Sequence, residues 1–145
     1  MSTAFRAIAQ AVVAQLLAAP ALAGGHVSLP QRRPVPVEWA SHIEVRCGLA
    51  GGSQPLIGAP RTWQTQVAID IYARAAAGAD AEADLDDLLA AVDERVRALN
   101  LGGLGVSQVG PDVQLEWQWV EGATPQELVS YAFFIQHDTR NGLQP

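Results

Sequence analysis

From Arg61 to Arg74 the chain alternates so regularly that two faces can be written down directly. Trp63, Thr65, Val67, Ile69 and Ile71 lie on one; Gln64, Gln66, Asp70, Tyr72 and Arg74 lie on the other. A period of two over this length predicts a strand with one buried and one polar face. The period then changes. Leu85, Leu88, Leu89, Val92, Val96 and Leu99 follow helical spacing and predict a helix from Asp84 to Leu99. Asp80 is its candidate N-cap, and Glu82, Asp84, Asp86 and Asp87 place negative charge where the helix dipole favours it. Arg95 and Arg97 fall in the last turns, and Asn100 with Gly102-Gly103 ends the pattern. A short strand at Leu104–Val109, a turn at Gly110-Pro111-Asp112 and a strand at Val113–Val120 come next. In that strand Val113, Leu115, Trp117 and Trp119 share a face. The last predicted strand, Leu128–His137, aligns Val129, Tyr131, Phe133, Ile135 and His137.

The N-terminal third is less regular. Phe5, Ile8, Val12 and Leu16, widened by Val13 and Leu17, make an amphipathic helical stripe that Thr3 or Ser2 would cap and Pro20 with Gly24-Gly25 would end. The competing reading is a secretory leader with Arg6, an apolar run at residues 7–17 and a small-residue cleavage site at Ala21-Leu22-Ala23. Gln10 and Gln15 interrupt that run, so the helix is preferred. The stretch is too short and polar to span a bilayer. Pro30, Pro34 and Pro36 exclude a central strand and leave an edge or surface run carrying Arg32 and Arg33. Ser41–Arg46 alternates as a short strand, with His42, Glu44 and Arg46 on one face. Residues 48–61 have no periodicity and read as a protruding loop bearing Leu56 and Ile57. Residues 138–145 read as a polar tail. One domain is expected over the 145 residues. Its class is α/β (α+β), a mostly antiparallel central sheet packed by two main helices.

Composition narrows the function. The formal charge is −6 and all nine basic residues are arginine. Such a balance lacks the basic footprint of a nucleic-acid binder and would repel phosphates. The single cysteine, Cys47, rules out an internal disulfide and reads as a buried structural thiol. The acidic cluster from Asp80 to Asp87 lacks the spacing of a calcium loop and reads as a solvated helix start. Gly102-Gly103-Leu104-Gly105 follows a helix instead of opening one, and without lysine it is no phosphate loop. His26, His42 and His137 are scattered singles, and none of Ser28, Ser41, Ser53, Ser107 or Ser130 has a nucleophile-elbow context. Trp63, Trp117 and Trp119 fit a core or interface better than a base-stacking platform, which needs a basic groove. No catalytic residue, metal or cofactor is expected.

The layout runs helix, Pro-rich stretch, strand, Gly/Pro loop, the strand Val67-Ala68-Ile69-Asp70-Ile71-Tyr72-Ala73, helix and closing strands. Over about residues 4–137 it resembles the tail terminator (tail completion) proteins of long-tailed bacteriophages and phage-like particles. That resemblance implies a small subunit of a hexameric ring that caps the tail tube, halts its polymerisation and meets the head–tail connector. It also implies a virion location after assembly in the host cytoplasm, with DNA passing the lumen without specific binding and no membrane involved. It carries over no catalytic residue. The expected contact residues are Arg32, Arg33, Leu56, Ile57, Arg61 and Thr124, on the Pro-rich run, the 48–61 loop and the turn at residues 121–125. A neck or head–tail adaptor protein is the nearest alternative, and a secreted binding protein with a cleaved leader the next.

Overall fold

The computed structural model describes residues 3–36, 38–74, 81–120, 126–140 and 142–144. Two helices lie against one face of a five-stranded sheet. The elements are α1 (Ala4–Leu17), β1 (Val27–Ser28), β2 (Ser41–Ser53), β3 (Arg61–Arg74), α2 (Ala81–Arg97), β4 (Val106–Val120) and β5 (Gln126–Thr139). The strand order is β1-β2-β3-β5-β4. Only the β1–β2 pair is parallel, so the sheet is mixed and the class is α+β.

The expected alternation of β3 is observed. Thr65, Val67, Ile69 and Ile71 are fully buried on the helix side, between Ile43, Val45 and Cys47 of β2 and Val129, Tyr131, Phe133 and Ile135 of β5. Ile8, Val12 and Leu16 of α1 and Leu85, Val92 and Val96 of α2 close over them. Burying each of these side chains contributes about 1.5–3 kcal/mol before chain entropy is set against it. Thr3 caps α1, its Oγ1 accepting the Arg6 amide at 3.3 Å. Arg95 of α2 fixes the other end by donating to the carbonyls of Gln15, Ala18 and Pro20 at 2.8, 2.8 and 2.6 Å. This satisfies acceptors that the end of a helix leaves open. Leu17, expected to widen the buried stripe, is instead 37 % exposed.

Four sequence expectations change. Residues 48–53 are not loop: β2 continues through Ser53 past an irregularity between Cys47 and Ala50, so the excursion shrinks to residues 54–60. Backbone pairing with β3 overrides a Gly-rich stretch that has no periodicity of its own. Leu104–Val109 and Val113–Val120 are not separate strands either. They form one β4 with a register shift between Val109 and Val113, where three residues oppose one of β5. Gly110 makes this possible, because a Cβ there would sit 3.0 Å from the Phe134 carbonyl oxygen. The tail is no free polar end: β5 runs to a buried Thr139, and the Ala4 amide donates to the Leu143 carbonyl at 2.8 Å. Finally, β1 was not foreseen. Its two residues pair only with Ile43 and Glu44. The expected Asp80 cap lies outside the described residues.

Candidate interaction surface

The order of layers leaves one strand bare. α1 lies over β2, with Cys47 Sγ 3.5 Å from the Phe5 carbonyl, and α2 lies over β3 and β5. No described element covers β4. Register carries the buried face of β5 straight onto it: Phe133 stands opposite Val113, Tyr131 opposite Leu115 and Val129 opposite Trp117. The β5 members of these pairs are at most 2 % exposed, whereas Val113, Leu115, Trp117 and Trp119 are 40, 41, 61 and 56 % exposed. Between this strip and α2 runs an apolar groove. Its two ends, about 740 and 890 Å³, share Asp86 and Leu89 as lining and are bordered by Glu82, Asp93 and Glu127. The Tyr131 hydroxyl donates to Asp93 at 2.7 Å, and Arg97 pairs with the same carboxylate at 2.7 Å. Burial and that hydrogen bond push the tyrosine well above its ordinary pKa. The groove floor is therefore rigid, apolar and edged with acid. A contiguous apolar patch on an unpaired edge strand is the kind of surface at which proteins take up a protein, membrane or ligand partner.

The opposite face of the sheet is polar and bears no helix. Arg46 pairs with Asp70 at 2.9 Å, and Ser130 donates to the other oxygen of Asp70 at 2.8 Å. Glu44 beside them is pushed up by burial and by the Asp70 charge, against the pull of Arg46. His42 stacks on Tyr72 at 4.3 Å, and burial, with Arg74 and His26 nearby, lowers its pKa to about 4. On the helix side burial lowers the pKa of His137, against the Asp138 charge, and Thr65 Oγ1 lies 2.8 Å from its Nε2. Arg46, Asp70 and Ser130 satisfy one another across the strands, whereas the buried His137 Nδ1 has no hydrogen-bond partner among the described residues. Among the described residues no set of three or more His, Cys, Asp or Glu is placed to hold a metal ion, and no helix is long and apolar enough to cross a membrane.

The contact residues expected from sequence fall into two distant groups. Leu56 and Ile57 are fully displayed on the β2–β3 hairpin, 74 and 105 % exposed, and Arg61 begins β3 beside them. Arg61 reaches Gln54 Oε1 at 3.4 Å and lies over the Trp63 ring, 5.5 Å from its centroid. Arg32 and Arg33, also exposed, sit on the Pro-rich run, which Arg74 ties down through the Pro36 and Val35 carbonyls at 3.0 and 3.4 Å. Arg74 is at the opposite end of β3 from Arg61, so the two groups do not share a surface. Thr124 lies outside the described residues. The strip on β4 was absent from that set. Its alternation was legible, but alternation does not say whether a layer covers the apolar face.

No protein-family model matches the sequence, and no curated protein matches it.

Proposed function

We propose that this protein is a structural ring subunit: the terminator that caps the tail tube of a long-tailed phage or phage-like particle and joins it to the head–tail connector. The observation carrying the reading is the bare face of β4, where Val113, Leu115, Trp117 and Trp119 stand exposed beside an apolar groove. Such a surface on a rigid two-layer scaffold is built to be covered by protein. The element order and the strand Val67–Ala73 supply the resemblance to that family. In this reading the protein works by geometry. It has no catalytic residue, metal or cofactor, and its six copies close around a lumen that DNA crosses without specific binding. It belongs to the virion, at the head-proximal end of the tail. A chain with net charge −6 suits a passage that must not hold a polyanion.

The test is tube assembly. Purified tube protein polymerised with this protein is expected to stop short and to carry a ring at one end by negative-stain electron microscopy. Tubes that elongate unchanged with bare ends refute the reading. Retention on portal or connector protein, with none on the tube, reassigns the chain to a head–tail adaptor.

A further inference from the structure

We infer that β4 and its groove are occupied by a second copy of this chain, which adds the free edge of its β2 to β4 and seats its α1 over the tryptophans. This rests on the ring reading only in taking the partner to be another copy.

Three independent observations select that occupant. The first is strand direction. Among the described residues, β1 shields β2 only at Ile43 and Glu44, which leaves Val45–Ser53 without an outer partner, and the outer edge of β4 has none along its length. Antiparallel pairing from β2 to β3, β3 to β5 and β5 to β4 makes β2 and β4 run in opposite directions. A copy set edge to edge in the same orientation therefore brings the two together as an antiparallel pair. The contact is head to tail, and such contacts make a ring where the rotation between copies closes and a filament where it does not.

The second is width. The strands β2, β3, β5 and β4 span about 19 Å at their usual spacing. Two helices side by side need about 16–20 Å. When the sheet continues into the next copy, the neighbour's α1, lying over its own β2, falls beside α2 and over the seam. Leu17, the exposed leucine of α1, then meets apolar surface, while Leu49, 70 % exposed on the free part of β2 and facing the polar side with Gln64 and Phe134, lies at the seam itself.

Charge is the third. Residues 1–74 hold six arginines and three carboxylates; residues 75–145 hold three arginines and twelve carboxylates. The first set builds the α1, β1 and β2 end of the sheet and the central β3, and the second builds α2 and the β5 and β4 end. α1 itself contains Arg6 and no carboxylate, while the groove it would close is bordered by Glu82, Asp86 and Glu127. Head-to-tail docking joins opposite charges at every junction, whereas two β4 edges would oppose acid to acid.

The experiment uses two full-length variants, each blocked on one side, read by sedimentation velocity from low to high micromolar concentration. Trp117→Glu with Trp119→Glu spoils the β4 side; Leu49→Asp spoils the β2 side. All three positions are exposed, and circular dichroism with thermal unfolding checks the fold; if the double variant loses stability, Trp117→Thr replaces it. The wild type is expected to assemble, with association weakening at least tenfold as salt rises from 50 to 500 mM. Each variant alone is expected to stay single. Their mixture is expected to form a species of two chains and nothing larger, because only one intact junction exists between them. Wild-type assembly that persists in both variants, or a mixture that stays single, overturns the inference and leaves the ring reading standing. A wild type that never associates, even with tube protein, overturns both. Intact junctions with tubes left uncapped strike the proposed function alone.

Discussion

Trp63 and Trp117 point to the same side of the same sheet and lead opposite lives. Trp63 meets Phe5 of α1 edge to face at 5.1 Å and donates its indole N–H to Thr139 Oγ1 at 3.0 Å. Trp117, opposite the fully buried Val129, is 61 % exposed. Chemistry and strand pattern are alike; the difference is whether a helix lies above. The two helices lie over β2, β3 and β5, and β4, at the end of the sheet, is the strand left over. The sealed centre holds the fold, and the bare edge is free to do something else. Physically, a residue's contribution depends on the layer over it more than on its own hydrophobicity.

The sharpest break in this comparison comes from register partners. Phe133→Ala is expected to cost about 3–5 kcal/mol, a full cavity in the core, while Val113→Ala beside it should cost under about 1 kcal/mol. Urea unfolding of the two isolated variants measures both. Equal losses would mean that β4 is covered within the single chain. Gly110→Ala comes next. Its Cβ would press on the Phe134 carbonyl oxygen at 3.0 Å, and a loss of about 1–3 kcal/mol is expected because backbone must yield. No loss would show that the bulge is not what pins the edge strand to the centre.

On the polar face the centre should be sensitive to pH. His42 has a folded pKa near 4 against an ordinary value of 6.5, so the unfolded chain binds its proton first. The stability it supports is complete above pH 6.5 and declines as pH falls toward 4. Arg74 and His26 face the same ring and oppose its charging, and Tyr72 stacks on it. Urea midpoints between pH 7 and 4 should fall, and His42→Phe, which keeps the stack, should make that slope shallower; an unchanged slope removes His42 from the account. The smallest effect is expected at the edge itself. Trp117→Ala should change the stability of the separate chain by no more than about 0.5 kcal/mol. A larger loss in dilute protein would show that the indole already has a place in its own subunit.

Much of the centre was legible. Thr65 to Ile71 and Val129 to His137 keep a period of two, broken only on the outer face by Ala68, Ala132 and Phe134, and the inner face fell where the period placed it. The helix expected at Asp84–Leu99 from leucine and valine spacing forms at Ala81–Arg97, with Leu88, Leu89 and Leu99 only partly buried. The stretch from Gly48 to Ser53 was misread because its pairing partner, Thr62 to Thr65, supplies the strand geometry that glycine does not ask for. β1 was missed for the same reason, since two residues carry no period. Of the expected contact residues, Leu56 and Ile57 are displayed, but the larger apolar surface lies on β4 at the far side of the sheet.

Periodicity is local and physical: side chains on a strand or helix repeat by geometry, so the amino-acid order alone determined the inner faces of β3 and β5 and the presence of both helices. It also set the unequal distribution of charge along the chain. Only the tertiary structure decided which faces are covered. It set β5 between β3 and β4, parked both helices over the other strands, and left four apolar side chains at the end of the sheet 40–61 % exposed, with no described element above them. Coverage depends on how many strands two helices can roof and in what order the strands lie, and neither is written in any one segment.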